Sequence, residues 1–319
     1  MSEGRQFKAK KSITNWAEYD AGLVKRYDIS IYVADESVFD KPEPTGEGGR
    51  PKEYSDGYIE LGLTLKSVYR MPYRGLEGFV TGVLRLNGMG EKPVPDFTTF
   101  CNRAKVLEIE SKLAALRGKK IDILVDSTGL KIFGEGEWKM KIHGKTKRRT
   151  WRKLHLGVDE ATQLIVVGDL TLNSTGDQEH LPDLLDDLPE DIDLNSVTAD
   201  GIYDTWDCYG AANDHGATII VPPRKNAVEP DETTGRADHP RSQAIRDCER
   251  LGREEWKKAS GYHRRSLAET AMYRYKTSFG EKMFSREFNR QKTEAHIKIK
   301  TLNLFRTLAT PHYDQPPAA

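Results

Sequence analysis

The sequence predicts an α/β protein with a mixed sheet, preceded by a small helical module. Two patterns carry this. Short apolar runs at residues 121–125, 151–158 and 164–172 read as three consecutive strands, followed by helix (178–188), strand (196–199), helix (204–215), strand (217–221) and long helices to about residue 309. Upstream, apolar residues recur at helical spacing over residues 56–69 and 75–86, with a Met71-Pro72-Tyr73-Arg74 turn between them and Pro95-Asp96 opening a third helix expected to reach about residue 113.

The 319 residues hold 49 basic and 49 acidic side chains, so overall charge gives no hint of a nucleic-acid partner and any electrostatic footprint must be local. No stretch approaches the roughly 18 apolar residues of a membrane helix, and the basic, polar start has no apolar core behind it. The expectation is a cytoplasmic, nucleoid-associated protein with no membrane contact. Cys101, Cys208 and Cys248 are odd in number, far apart and without a Cys-x-x-Cys pair, which argues against a disulfide framework or a zinc knuckle.

The charge does cluster. Lys139, Lys141, Lys145, Lys147, Arg148, Arg149, Arg152 and Lys153 form a run without acidic residues, interleaved with Trp138, His143 and Trp151. Such a run reads equally as a solvated hairpin surface or as a phosphate-binding one. Residues 1–50 read as a flexible arm and linker, 51–116 as the helical module, 119–310 as the α/β domain and 311–319 as a tail. The module has the order of a helix-turn-helix, whose last helix carries Asn102, Arg103 and Lys105; a small tri-helical segment that only packs on its neighbour has the same pattern.

Two aspartates stand where apolar strands are expected to end: Asp126 in Leu124-Val125-Asp126-Ser127-Thr128-Gly129, and Asp200 in Val197-Thr198-Ala199-Asp200-Gly201. Carboxylates at the carboxyl ends of core strands lie at the rim of an open sheet, where ligands bind, although each alone could be a helix cap or turn former. Further on, Tyr262, Arg265, Glu269 and Lys276 fall on one narrow stripe of a helix at about 100° per residue. A solvated salt-bridge face would look similar. It would not explain why that helix follows two strand-borne carboxylates and a basic hairpin.

These residues resemble the DDE transposases of bacterial and archaeal insertion sequences. Asp126-Ser-Thr-Gly looks like the first-aspartate motif, Asp200-Gly-Ile-Tyr-Asp204 like the second, and Tyr262, Arg265, Glu269 and Lys276 like the Y-R-E-K signature around the glutamate. The resemblance covers roughly residues 119–310, with residues 50–103 similar to the DNA-binding region before the core. The short span from Asp200 to Glu269 lacks the large inserted β-domain of some relatives.

The resemblance implies an RNase H-like mixed five-stranded sheet flanked by helices, preceded by a helical, helix-turn-helix-like DNA-binding domain. It implies Asp126, Asp200 and Glu269 as catalytic and metal-binding carboxylates, holding two Mg²⁺ ions for which Mn²⁺ can substitute. Arg265 and Lys276 would hold phosphates beside the break, with Tyr262 at the same backbone. Lys145, Lys147, Arg148, Arg149, Arg152 and Lys153 would add salt-dependent phosphate contacts, and Arg103 would serve the helical domain. The partners implied are double-stranded DNA, as terminal inverted repeats and target, and further copies of the chain as a homodimer or larger assembly on DNA. Three other readings stay open: a DNA-binding protein without catalysis, a metal-free two-carboxylate hydrolase, and a nuclease of the same fold that cuts without joining.

Overall fold

The computed structural model describes residues 12–43, 52–109, 113–132, 151–230, 236 and 238–314. Lys145, Lys147, Arg148 and Arg149 lie outside them. Strands β1 (Lys120–Ile132), β2 (Trp151–Asp159), β3 (Ile165–Leu172), β4 (Asp193–Thr198) and β5 (Thr218–Ile220) form a sheet in the order β3-β2-β1-β4-β5. β1, β2 and β3 pair antiparallel, whereas β4 pairs parallel with both β1 and β5. The mixed sheet and its five strands match the sequence reading. A sixth strand of two residues, β6 (Lys282–Met283), lies parallel to the far end of β1 and was not foreseen, because two residues carry no readable period.

Asp126 does not close its strand. β1 continues six residues further, because β2 goes on pairing with it as far as Lys131↔Trp151. The apolar run stops at Val125 since from there the strand approaches the rim and its residues are only half-buried, Leu130 excepted.

Two layers of helices cover the sheet. On one face, α5 (Asp177–Asp186) and α6 (Trp206–Asp214) bury Leu181, Leu184, Leu185, Cys208 and Ala212 against Ile121, Ile123, Val125 and Val197. After α7 (Pro240–Leu251) and α8 (Arg253–Ala259), α9 (Ser266–Phe279) and α10 (Phe288–Leu308) bury Met272, Tyr275, Phe279, Ile299 and Leu302 on the other face, against Leu130, Leu154, Leu156 and Leu170. β2 is inaccessible over its last six residues because both its faces are covered, yet its side chains still alternate: Leu154, Leu156 and Val158 lie in the core under α9 and α10, and His155, Gly157 and Asp159 take the other face. The outer edge of β3 is closed by Asn303 of α10, whose side-chain amide gives and accepts hydrogen bonds of 2.8 Å with the Ile165 backbone, as a neighbouring strand would.

The helical module holds α2 (Asp56–Val68), α3 (Tyr73–Leu86) and α4 (Phe97–Arg103) around Tyr58, Leu63, Leu76, Val80 and Phe100. Ser55 and Asp96 accept from the Tyr58 and Thr99 amides and so start α2 and α4. α4 stops at Arg103 rather than near residue 113. The module also shares its core with Ile297 of α10, so it packs on the α/β domain. Of the expected arm, residues 12–43 are structured: α1 (Trp16–Lys25) precedes two single turns, Phe39 is buried in the module's core, and Ile13 bridges to Tyr313 of the expected tail. Among the described residues no helix is long and apolar enough to cross a membrane. Cys101, Cys208 and Cys248 are free thiols.

Candidate active site

Parallel pairing of β1 with β4 brings the two aspartates to neighbouring strands. The last paired residues are Leu124 and Thr198, and Asp126 and Asp200 each stand two residues beyond them, with the same parity and hence on the same face. Asp200 accepts a 2.8 Å hydrogen bond from the Ile202 amide and so starts a single turn at Gly201–Tyr203. The third carboxylate arrives from α9, which crosses β1 and β2 on the Asp126 face.

Arg265 joins them. Its guanidinium donates to Asp126 Oδ2 at 3.0 Å and to Glu269 Oε1. Asp126 and Arg265 are largely enclosed, at 17% and 20% side-chain exposure, while Glu269 at 56% opens the site to solvent. Burial pushes the Asp126 carboxyl above its ordinary pKa, Asp200 and Glu269 push the same way, and Arg265 with the Ser127 amide only partly opposes them. Burial disfavours the charge on Arg265, yet Asp126, Tyr262, Glu269 and Asp200 together hold the guanidinium more firmly protonated than usual. The Tyr262 phenol is pushed up by burial and by Asp200, against Arg265. Asp126, Asp200, Glu269, Arg265 and Tyr262 therefore share one electrostatic neighbourhood.

The stripe is not one α-helix throughout. Tyr262–Arg265 is a 3-10 turn and the α-helix begins at Ser266, so Tyr262 is set by the turn and not by helical spacing. Lys276 lies two turns beyond Glu269, about 10 Å along the axis, and faces Glu281, whose carboxyl is held low first by Lys131 and also by Lys276. Arg103 donates to the Tyr54 carbonyl and to Asp56 within the helical module. Arg152 bonds Gln291 at 2.9 Å and covers the Phe288 ring, and Lys153 bonds Asp177 at 3.0 Å and the Thr175 carbonyl at 2.7 Å. The two described members of the basic run are thus half-buried and bonded to the protein's own groups.

Several residues at the site carried no sequence signal of their own. Ser127 donates to Asp177 at 2.8 Å, tying β1 beside Asp126 to the start of α5. Asp204, in the same short motif as Asp200, has no exposed side-chain surface; it receives both Arg241 Nε at 2.7 Å and Nη2 at 3.1 Å, and the Arg224 amide at 2.8 Å. Arg224 in turn donates to the Gly201 and Ile202 carbonyls and so wraps the Asp200 turn. Only the repeated Asp in Asp200-Gly-Ile-Tyr-Asp204 could have pointed there. Trp206 is a rim aromatic with Arg236 and Arg241 over its ring.

Behind Ser127, in register with it, His155 is buried, with Nε2 2.8 Å from Thr171 Oγ1 and its ring against His180. Burial, His180 and Lys153 push its pKa down to about 4, against the opposing Asp177 and Asp169. The ordinary value is 6.5, so between pH 6.5 and 4 the unfolded chain binds the extra proton and folding stability falls as the pH is lowered. The expected loss by the lower pH is about 3 kcal/mol, and His155→Gln is expected to remove it. Urea unfolding across that window checks this, and an unchanged slope in the variant would refute it.

A family model described as a transposase DDE domain matches residues 117–304, more than half of the chain, and includes all three carboxylates and Arg265. This chain belongs to the DDE transposases. A second model of the same description matches residues 24–135, so the helical module and β1 belong to the family pattern as well. No solved structure matches the chain.

A DDE transposase acts on DNA, and enzymes of this family normally use divalent metal ions. The residues fit such an ion. The donors are carboxylate oxygens, which suit hard cations, and Asp126 is raised by burial and by two like charges that a cation would relieve. The buried Tyr203 hydroxyl beside them has no hydrogen-bond partner among the described residues. No three His, Cys, Asp or Glu side chains among the described residues already close on one point; the Arg265 guanidinium lies between two of the carboxylates.

Proposed function

We propose that this transposase cuts DNA at the ends of its element and joins the resulting 3′-hydroxyl to target DNA, with Asp126, Asp200 and Glu269 as the catalytic, metal-holding carboxylates. The observation that carries the reading is the joining of Asp126 and Glu269 through Arg265 at the open edge of the site, with Asp200 near enough to act on both Asp126 and Arg265. Two divalent ions, Mg²⁺ or Mn²⁺ in its place, would supply an activated oxygen nucleophile and neutralise the leaving oxygen.

The chain's own residues bind and orient. Arg265 already spans two carboxylate groups, and a phosphodiester offers its planar fork the same bidentate partner. Tyr262, beside Arg265 and Asp200, is placed to hydrogen-bond the same stretch of backbone. Lys276, two turns along α9, holds a phosphate further along the strand as a point charge. Recognition of the element's ends falls to the helical module, and Lys145, Lys147, Arg148 and Arg149 add sequence-independent contacts that weaken with salt. Pairing two ends calls for at least two copies of the chain on DNA.

A labelled duplex carrying the element's end, incubated with Mg²⁺ or with EDTA, tests this. Nicked and joined products that require the metal and vanish in Asp200→Ala are expected. Metal-indifferent binding without cleavage would instead mark a DNA-binding protein, and cleavage without joining a nuclease of the same fold.

A further inference from the structure

Tyr203 has no part in the chemistry above. Its ring is 2% exposed and packed among the apolar residues under α5 and α6. Buried phenols normally find a partner for the hydroxyl. This one has none among the described residues. Burial first, and then the Asp177, Asp126 and Asp200 carboxylates and the Cys208 thiol, push its pKa up.

The placement follows from the motif. Asp200 starts the turn Gly201–Tyr203, and the Tyr203 amide donates back to the Asp200 carbonyl at 3.1 Å, so one turn aims both the carboxylate and the phenol. Asp177, the strongest neighbour, is already engaged by Ser127 Oγ at 2.8 Å and Lys153 Nζ at 3.0 Å. A buried phenol on the turn that Asp200 starts, bonded to no group among the described residues, has a proton to give and nothing at hand to take it. Mg²⁺ and its substitutes keep several waters when held by one or two carboxylates. Outer-shell partners of metal sites fix such ligands in place.

We propose that the Tyr203 hydroxyl is the protein's outer contact to the divalent-ion site, donating to a water of the hydrated ion that Asp126 and Asp200 hold. The proposal rests on the metal-dependent reading above. Tyr203 is a positioning residue in it, since it reaches the ion only through that water. A structural alternative is a direct bond to Asp177, made by a small shift of the ring.

Mn²⁺ titration of the full-length protein, followed by electron paramagnetic resonance, separates the two when combined with thermal melts of the metal-free chain. Tyr203→Phe keeps the ring and removes only the hydroxyl. Expected are an unchanged or higher melting temperature without metal and Mn²⁺ affinity weaker by about tenfold to a hundredfold, as for other outer-shell losses. Wild-type affinity in Tyr203→Phe overturns the proposal, whether or not the variant melts lower. Asp200→Ala distinguishes the levels: if it binds Mn²⁺ as wild type does, the metal reading itself fails. If it loses Mn²⁺ while Tyr203→Phe does not, only the role of Tyr203 fails.

Discussion

Asp126→Asn is expected to lower cleavage and joining by about 10³-fold or more while leaving the protein at least as stable at neutral pH. The loss follows from removing one of the three charges proposed to hold the metal, whose stabilisation of developing charge is worth several kcal/mol, with each 1.4 kcal/mol equal to tenfold in rate. The stability follows from the raised Asp126 carboxyl. A carboxyl whose folded pKa lies above its unfolded value opposes folding once the pH exceeds the folded pKa, and this opposition is absent below the unfolded one. Asparagine removes it at neutral pH, still accepts from the Ser127 amide, and leaves Arg265 with Glu269. Single-turnover cleavage of an end duplex and urea midpoints of the metal-free chain measure the two effects. Cleavage within tenfold of wild type would remove Asp126 from the catalytic set, and a large drop in stability would mean that the Arg265 pair holds the fold.

Arg241→Ala is expected to cost about 3–5 kcal/mol, because it strands a fully buried carboxylate. Arg241 and the Arg224 amide are the polar contacts of Asp204, and the guanidinium also lies 4.9 Å from the Trp206 ring centroid. Asp204 closes the turn that Asp200 opens, so loosening it also moves a carboxylate proposed to be catalytic. Replacing both partners by residues without charge, Asp204→Asn with Arg241→Met, is expected to recover much of the loss, since an unpaired buried charge is more costly than an absent pair. Equilibrium unfolding of the two variants checks both values. An Arg241→Ala chain within 1 kcal/mol of wild type, a loss typical of exposed pairs, would show that water reaches Asp204.

Much of the site was legible because its chemistry is written locally. Asp126 and Asp200 each follow an apolar run, and Arg265 and Glu269 sit one helical turn apart, so residue type and spacing announced them. The partnership of Arg241 with Asp204, or of Ser127 and Lys153 with Asp177, joins residues 24 to 50 positions apart, and nothing in either segment names the other. The intramolecular bonds of Arg152 and Lys153 were not legible for a related reason. A basic run looks alike whether its side chains face water or fold back on Gln291 and Asp177, and only the neighbours decide which.

The sequence by itself determined the family, the order of the five main strands and the mixed sheet, and it marked the three carboxylates as candidates, since these rest on periodicity and on short motifs. The tertiary structure alone decided how far β1 runs, where α4 stops, that residues 12–43 pack on the body of the protein, and that Tyr203 and Asp204 turn inward. Each of those outcomes depends on which surface a segment meets across the fold, a long-range contact whose energy is absent from the local sequence.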